Sequence, residues 1–147
     1  MSTHSETRVL PYPPERFFDL VADVESYPEF LPFWRDAKVY RRVGQVYYTD
    51  QEVGIGPVRE RFRSKTVLER PTRIDILSSE RMFRKFAIHW EFTPISSGGC
   101  QVQFTFCVEA RSRLLGKVMD ALILETARGM VAAFERRARE RFGALPG

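Results

Sequence analysis

The chain has 147 residues, 44% of them hydrophobic and 29% charged, with a formal net charge of +4 and a pI near 9.3. That size and balance predict one folded domain, 1–147 with an ordered core over 3–143, and argue against disorder. No window approaches the ~18 consecutive apolar residues of a membrane-spanning helix, and Met1 to Leu10 lacks the apolar run of a signal peptide, so a cytoplasmic protein is expected.

Thr3 to Leu10 is a plausible first strand, stopped by Pro11. Pro13-Pro14 then opens a helix, since proline is well tolerated in the first turn. Phe17, Leu20, Val21 and Val24 follow at helical spacing, and Asp23 with the Tyr27-Pro28 step ends it. The next segment, YPEFLPFW (27–34), holds five large apolar or aromatic residues, Tyr27, Phe30, Leu31, Phe33 and Trp34, and two prolines. Proline excludes both a helix interior and a central strand. The segment also lacks the Gly, Ser, Asn and Asp of a solvated loop. It reads as a very short helix or turn that either caps the sheet as a small core or acts as a gate and membrane contact.

A run of strands follows. Ala37, Val39, Arg41 and Val43 fall on one face of the first, and Gly44-Gln45 marks a hairpin. Val46 to Val53 is rich in Tyr, Val and Thr, and Gly54 to Pro57 has turn composition. Val58 to Glu69 alternates, with Arg59, Arg61, Arg63 and Lys65 on one face and Phe62, Ser64, Thr66 and Leu68 on the other. Ile74 and Ile76 mark a short strand. Phe86, Ile88, Trp90 and Phe92 alternate with Ala87, His89 and Glu91; after the Ser96 to Gly99 turn, Val102, Phe104, Phe106 and Val108 repeat the pattern. Such alternation is that of antiparallel strands with one packed face and one wet face. From about Arg113 to Phe142 the period becomes helical, with Leu115, Met119, Leu122, Met130 and Phe134 on one face and Gly143 as a stop.

The two cysteines, Cys100 and Cys107, fall on one predicted strand, roughly 23 Å apart at strand rise. That is too far for a disulfide, so free thiols in a reducing compartment are expected. Nothing resembles a catalytic or metal constellation. The two histidines, His4 and His89, are expected to be structural or inert, and no His/Cys/Asp/Glu cluster has metal-ligand spacing. No Gly-rich loop leads from a strand into a helix, and no Ser or Cys has the context of a nucleophile. Glu60 could turn inward with Phe62, though a solvated position at the strand end is the simpler expectation. The Arg59/Arg61/Arg63/Lys65 stripe is either a solvated face neutralised by neighbouring carboxylates or a contact for an anionic surface or ribosomal RNA. DNA is not expected as a partner. Arg128, Arg136, Arg137, Arg139 and Arg141 gather toward the C-terminal end of the last helix, where cations favour the helix dipole.

The element order β-α-α-β-β-β-β-β-β-α resembles the helix-grip fold of START-like and polyketide-cyclase-like domains. Within it, VADVESYPEFLPFW (21–34), MVAAFERRARERFG (130–143) and ETRVLPYPPERFFDLVADVE (6–25) look like the coenzyme Q-binding proteins, whose bacterial relatives include ribosome-association toxins. The chain departs from that pattern at Phe33-Trp34 and at Ser79 to Phe83. The resemblance implies an α+β domain, a curved antiparallel sheet of six or seven strands around a long C-terminal helix, with two short helices after the first strand. It implies a cavity lined by Phe62, Thr66, Ile88, Trp90, Phe104, Phe106, Leu115, Met119, Leu122 and Met130. The function it implies is non-enzymatic binding of an isoprenoid quinone, ubiquinone as a ligand rather than a cofactor, with peripheral contact at the inner membrane. A ribosome-directed protein and a cyclase-like enzyme are the alternatives.

Overall fold

Alternating apolar and polar residues build most of this molecule. The computed structural model describes residues 2–111 and 116–143, with the side chains at 2, 55, 58, 117–120 and 122 outside that description. The chain runs through β1 (Ser2–Leu10), α1 (Pro14–Ala22), a 3-10 helix (Val24–Glu29), β2 (Trp34–Val43), β3 (Val46–Ile55), β4 (Val58–Glu69), β5 (Arg73–Leu77), β6 (Phe83–Pro94), β7 (Cys100–Ala110) and α2 (Gly116–Phe142). The strands form one seven-stranded sheet in the order β1-β7-β6-β5-β4-β3-β2. Every pairing is antiparallel. β2 to β7 make a continuous meander, and β1 returns to pair with β7, Leu10 opposite Cys100 and His4 opposite Phe106. The sheet curves about α2, giving the expected α+β helix-grip architecture.

The long helix fits the sheet by length: its 27 residues span about 40 Å, close to the reach of the twelve-residue β4. Ala127, Met130, Val131, Phe134 and Ala138 are buried along its inner face, at the spacing of one helical stripe. Phe134 is the hub. Phe17, Tyr27, Phe30 and Trp90 all place ring centroids within 5.1 to 6.5 Å of it. Arg8 of β1 ties down the same helix through Glu135 at 2.7 Å. The helix stops at Gly143, whose φ of +72° needs glycine and whose N–H bonds the Arg139 carbonyl at 2.9 Å.

Two sequence expectations change. β3 runs on to Ile55, leaving Gly56-Pro57 as the turn. In β2, register shifts between Trp34 and Asp36 and between Val39 and Arg41 break the alternation. Ala37 is buried, but Arg41 is exposed and Val43 is 54% exposed, because a bulge turns the following residues to the other side. At the far end of the sheet, a side chain at Gly99 would put a Cβ 2.1 Å from the Leu10 carbonyl oxygen. Only glycine permits the β1 end to close over that turn.

Candidate ligand cavity

The strand alternation turns Phe62 and Thr66 of β4, Ile88 and Trp90 of β6, and Phe106 and Val108 of β7 inward, all buried. Between these walls and α2 a cavity of about 90 Å³ remains, lined by Phe33, Trp34, Val53, Gly54, Glu60, Phe62, Met82, Phe83, Phe86, Ile88, Phe106, Val108, Ile123 and Thr126. Its surface is almost wholly apolar. A smaller, more enclosed space of about 30 Å³ adjoins it, sharing Trp34, Phe62, Phe86 and Ile88 and adding Val24, Tyr27, Tyr47, Gln51, Thr66, Ile76, Trp90, Met130 and Phe134. Together they approach the scale of the roughly 150 Å³ apolar cavity that takes up benzene. The space suits a ring-sized group with the rest of a ligand leaving by the mouth.

The expected lining residues divide. Phe62 and Ile88 line both spaces, Phe106 the outer one, and Thr66, Trp90 and Met130 the inner one. Phe104 lines neither: it is fully buried, with its ring 4.6 Å from that of Trp90, and serves as core behind the wall. Leu115 lies outside the described residues, as do the side chains of Met119 and Leu122. Sequence reasoning missed Phe86, although its parity matches Ile88 and Trp90. It also missed Met82-Phe83, part of the loop where the chain departs from the family it resembles. Glu60 does turn toward the cavity, half-buried at its rim.

The 27–34 segment also divides. Tyr27 and Leu31 are each only 5% exposed and belong to the core rather than to a membrane-facing surface. Tyr27 donates its hydroxyl proton to the Val21 carbonyl, and burial pushes its pKa well above the usual tyrosine range. Phe30 packs its ring edge-on to Phe134, beneath the Arg137 guanidinium at 5.1 Å, and Arg137 holds Glu29 at 2.7 Å. Phe33 adopts φ +71°, the one positive φ of a non-glycine residue among the described residues. With that turn, both Phe33 and Trp34 line the cavity.

One side of the inner space is polar. Thr49, Gln51, Ser64 and Thr66 are all buried. β3 and β4 place Thr49 opposite Ser64 and Gln51 opposite Phe62. The Trp34 indole N–H donates to Gln51 Oε1 at 2.8 Å. Gln51 Nε2 donates to Thr49 Oγ1 at 2.9 Å and Ser64 Oγ at 3.1 Å. The Tyr47 hydroxyl donates to the Ala22 carbonyl at 2.9 Å, and burial raises its pKa to about 12.

The outer face carries paired charge. Arg61 meets Asp36 at 3.2 Å, Glu52 at 3.3 Å and Asp50 at 3.4 Å. Arg59 reaches Glu52 only at 3.8 Å, Arg63 stacks over Tyr40 at 4.9 Å, and Lys65 is exposed. The stripe is therefore partly neutralised across strands. His89 sits on this face between Asp75 at 2.5 Å and Glu91 at 3.0 Å. Burial alone would lower its pKa, but those hydrogen bonds outweigh it and the imidazole is raised above 6.5. Cys100 and Cys107 are not joined in a disulfide, and burial raises the Cys100 thiol to about 11. Among the described residues no three His, Cys, Asp or Glu side chains gather as metal ligands. No described helix is long and apolar enough to cross a membrane.

A family model described as polyketide cyclase / dehydrase and lipid transport matches residues 10–135. The chain belongs to that family. It is 29% identical over 144 residues to the ribosome association toxin RatA of Pseudomonas aeruginosa, covering 97% of this chain and 100% of the relative. It is 31% identical to the mitochondrial coenzyme Q-binding protein COQ10 homolog B of Xenopus laevis, covering 95% of this chain and 59% of the relative. Among solved structures, a START superfamily protein from Mycobacterium smegmatis superposes with a TM-score of 0.80 at 19% identity, covering 96% of this chain and 99% of that one. That likeness concerns the fold.

Proposed function

We propose that this family member binds an isoprenoid quinone, ubiquinone above all, and carries or chaperones it at the cytoplasmic face of the inner membrane in support of respiratory electron transfer. The observation that carries the reading is the enclosed, ring-walled apolar cavity with one polar side, in a chain similar over 95% of its length to a coenzyme Q-binding protein. Burying an isoprenoid tail gains about 0.8 kcal/mol per methylene over water. A tail leaving a bilayer gives up comparable solvation, so exchange between membrane and pocket is near balance, which is what a carrier requires. The mouth supports bilayer contact: half-buried Met82 and Phe83 stand beside exposed Arg81, Arg84 and Lys85, a pairing suited to anionic lipid. Among the described cavity-lining residues Glu60 is the only carboxylate and none is histidine, so a cyclase mechanism has little to work with.

The test is to purify the full chain from its host, extract it and identify bound lipid by mass spectrometry. Uptake of ubiquinone from phosphatidylcholine/phosphatidylglycerol vesicles is measured in parallel. An isoprenoid quinone at near one per chain is expected; no such lipid and no uptake would overturn the proposal.

A second reading rests on the similarity to RatA and on exposed Arg59, Arg63 and Lys65 along β4. It predicts co-sedimentation with ribosomes that weakens steeply with salt, as phosphate contacts do. No co-sedimentation even at low salt removes it.

A further inference from the structure

Strand register sets a row of side chains across the outer face of the sheet. Arg41 of β2 lies opposite Tyr48 of β3, Tyr48 opposite Lys65 of β4, and Lys65 opposite Leu77 of β5. Tyr40 joins the row because the register shift between Val39 and Arg41 sets an extra residue of β2 against β3. Its ring centroid stands 6.3 Å from that of Tyr48. The Arg63 guanidinium lies over the Tyr40 ring at 4.9 Å, and the Arg41 guanidinium over the Tyr48 ring at 5.6 Å. Tyr40 is 51% exposed and Leu77 46%; Arg41, Arg63 and Lys65 are exposed beside them. The carboxylates of this face are engaged elsewhere: Asp36, Asp50 and Glu52 turn to Arg61, and Glu52 also meets Arg59. Among the described residues Arg41, Arg63 and Lys65 meet no carboxylate. The result is a pair of exposed rings, each with a guanidinium laid over it, in uncompensated positive charge.

Double-stranded nucleic acid would use only the charge of this patch, through its phosphates. A bilayer would have to take in the guanidiniums that lie on the rings, at the cost of their hydration. Unpaired nucleotides use both parts: bases stack on aromatic rings and on guanidinium planes, while phosphates take up the positive charge. Resting on the ribosome-directed reading above, which supplies the nucleic acid, we propose that the Tyr40–Tyr48 face is a binding site for single-stranded RNA. Bases stack on Tyr40, Tyr48 and their guanidinium partners, and Lys65 meets the phosphates. The four strands of the row span roughly 14 Å, enough for a short run of nucleotides. The contact thus lies toward β2, away from the end of β4 where carboxylates neutralise Arg61.

The test titrates the full chain into a fluorescein-labelled oligouridylate of about ten nucleotides, and into the same length of duplex RNA, following anisotropy over a range of salt. The single strand is expected to bind about tenfold more tightly than the duplex, since stacking adds to the charge contacts. Tyr40→Ala should weaken single-strand binding at least about fivefold with the salt slope unchanged, and Tyr40→Phe should restore it. Lys65→Ala should instead lower the salt slope by about one. Arg136→Ala, which removes an exposed cation of α2, should change the affinity less than twofold. If Tyr40→Ala fails to fold, Tyr40→Leu keeps an apolar side chain on the strand without a flat ring and is expected to lose binding equally. Equal affinity for duplex and single strand, or wild-type affinity in Tyr40→Ala and Tyr40→Leu, overturns the stacking site. Ribosome co-sedimentation that persists in those variants then leaves the ribosome-directed reading standing without it. Tyrosine-dependent binding of the oligonucleotide with no co-sedimentation keeps the single-strand site and removes the ribosome as its source. Binding to phosphatidylglycerol vesicles that Tyr40→Ala abolishes, with no oligonucleotide binding, makes the face a membrane contact and overturns the proposal.

Discussion

Replacing Val108 with isoleucine adds one methylene to a side chain that is 1% exposed and borders the cavity. If the space is empty without ligand, that methylene moves into it and gains about 0.8 kcal/mol. The ceiling follows from the cavity itself: about 90 Å³ at ~24 cal/mol per Å³ limits any filling substitution to about 2 kcal/mol. For a chain of this length 1 kcal/mol moves the melting temperature by about 3 °C. The assay pairs urea denaturation of the ligand-free protein with ubiquinone uptake from vesicles. Val108→Ile should stabilise the free protein and weaken uptake, and Val108→Phe should abolish uptake whether its larger ring fits or overpacks. A destabilised Val108→Ile protein would mean the wall is already close-packed. A stabilised Val108→Ile protein with unchanged uptake, together with Val108→Phe that still takes up quinone, would mean that the ligand does not use this space.

Leu31 and Phe33 separate core from mouth. Leu31→Asp buries a carboxylate in the core and should cost about 3 kcal/mol or more. Phe33→Gly relieves a left-handed backbone worth about 1 kcal/mol and should leave stability near wild type while lowering quinone uptake; equal destabilisation of the two would refute the division. Arg137→Leu should cost about 1 kcal/mol, because the guanidinium joins Glu29 and Phe30 but leaves its buried Nε without a partner. Amide exchange across 24–33 should accelerate in that variant, and unchanged exchange would show that the segment is held elsewhere. The raised pKa of His89 sets a sign for pH dependence. A folded-state value above the unfolded 6.5 contributes stability that is complete below pH 6.5 and fades as pH rises past it. The half-exposed setting keeps this below about 1 kcal/mol. His89→Asn should flatten the stability slope between pH 6 and 8, and identical slopes in variant and wild type would remove the interpretation.

Period alone located most of the fold. The alternations at Phe86 to Phe92 and Val102 to Val108 correspond to β6 and β7, and the helical stripe through Met130 and Phe134 to α2. It failed where both faces of a strand carry polar residues. In β3, Tyr47, Thr49 and Gln51 alternate with Tyr48, Asp50 and Glu52, and nothing in that pattern says which set is buried. Pairing with β4 decides it, because Thr49 lies opposite Ser64 and Gln51 opposite Phe62. The same registers neutralise Arg61, whose three carboxylates come from β2 and β3. Trp34 was legible as an apolar residue beside two prolines, but not as a donor to Gln51. That contact depends on the positive φ at Phe33 and on strand order, neither of which a local pattern records.

The antiparallel pairing of the first strand with the last has a consequence for how the chain is made. Residues 46–94 can zip into neighbouring hairpins as they leave the ribosome, since each strand from β3 to β6 meets the one before it. β1 finds its partner only when β7 has emerged, about a hundred residues later. The inner face of the meander gains the cover of α2 only after β7 as well, and the closing of so long a loop slows completion of the sheet. The slow step in refolding should therefore be the docking of the N-terminal strand. A chain beginning after Leu10 should form the meander, leave the β7 edge open, and self-associate through it.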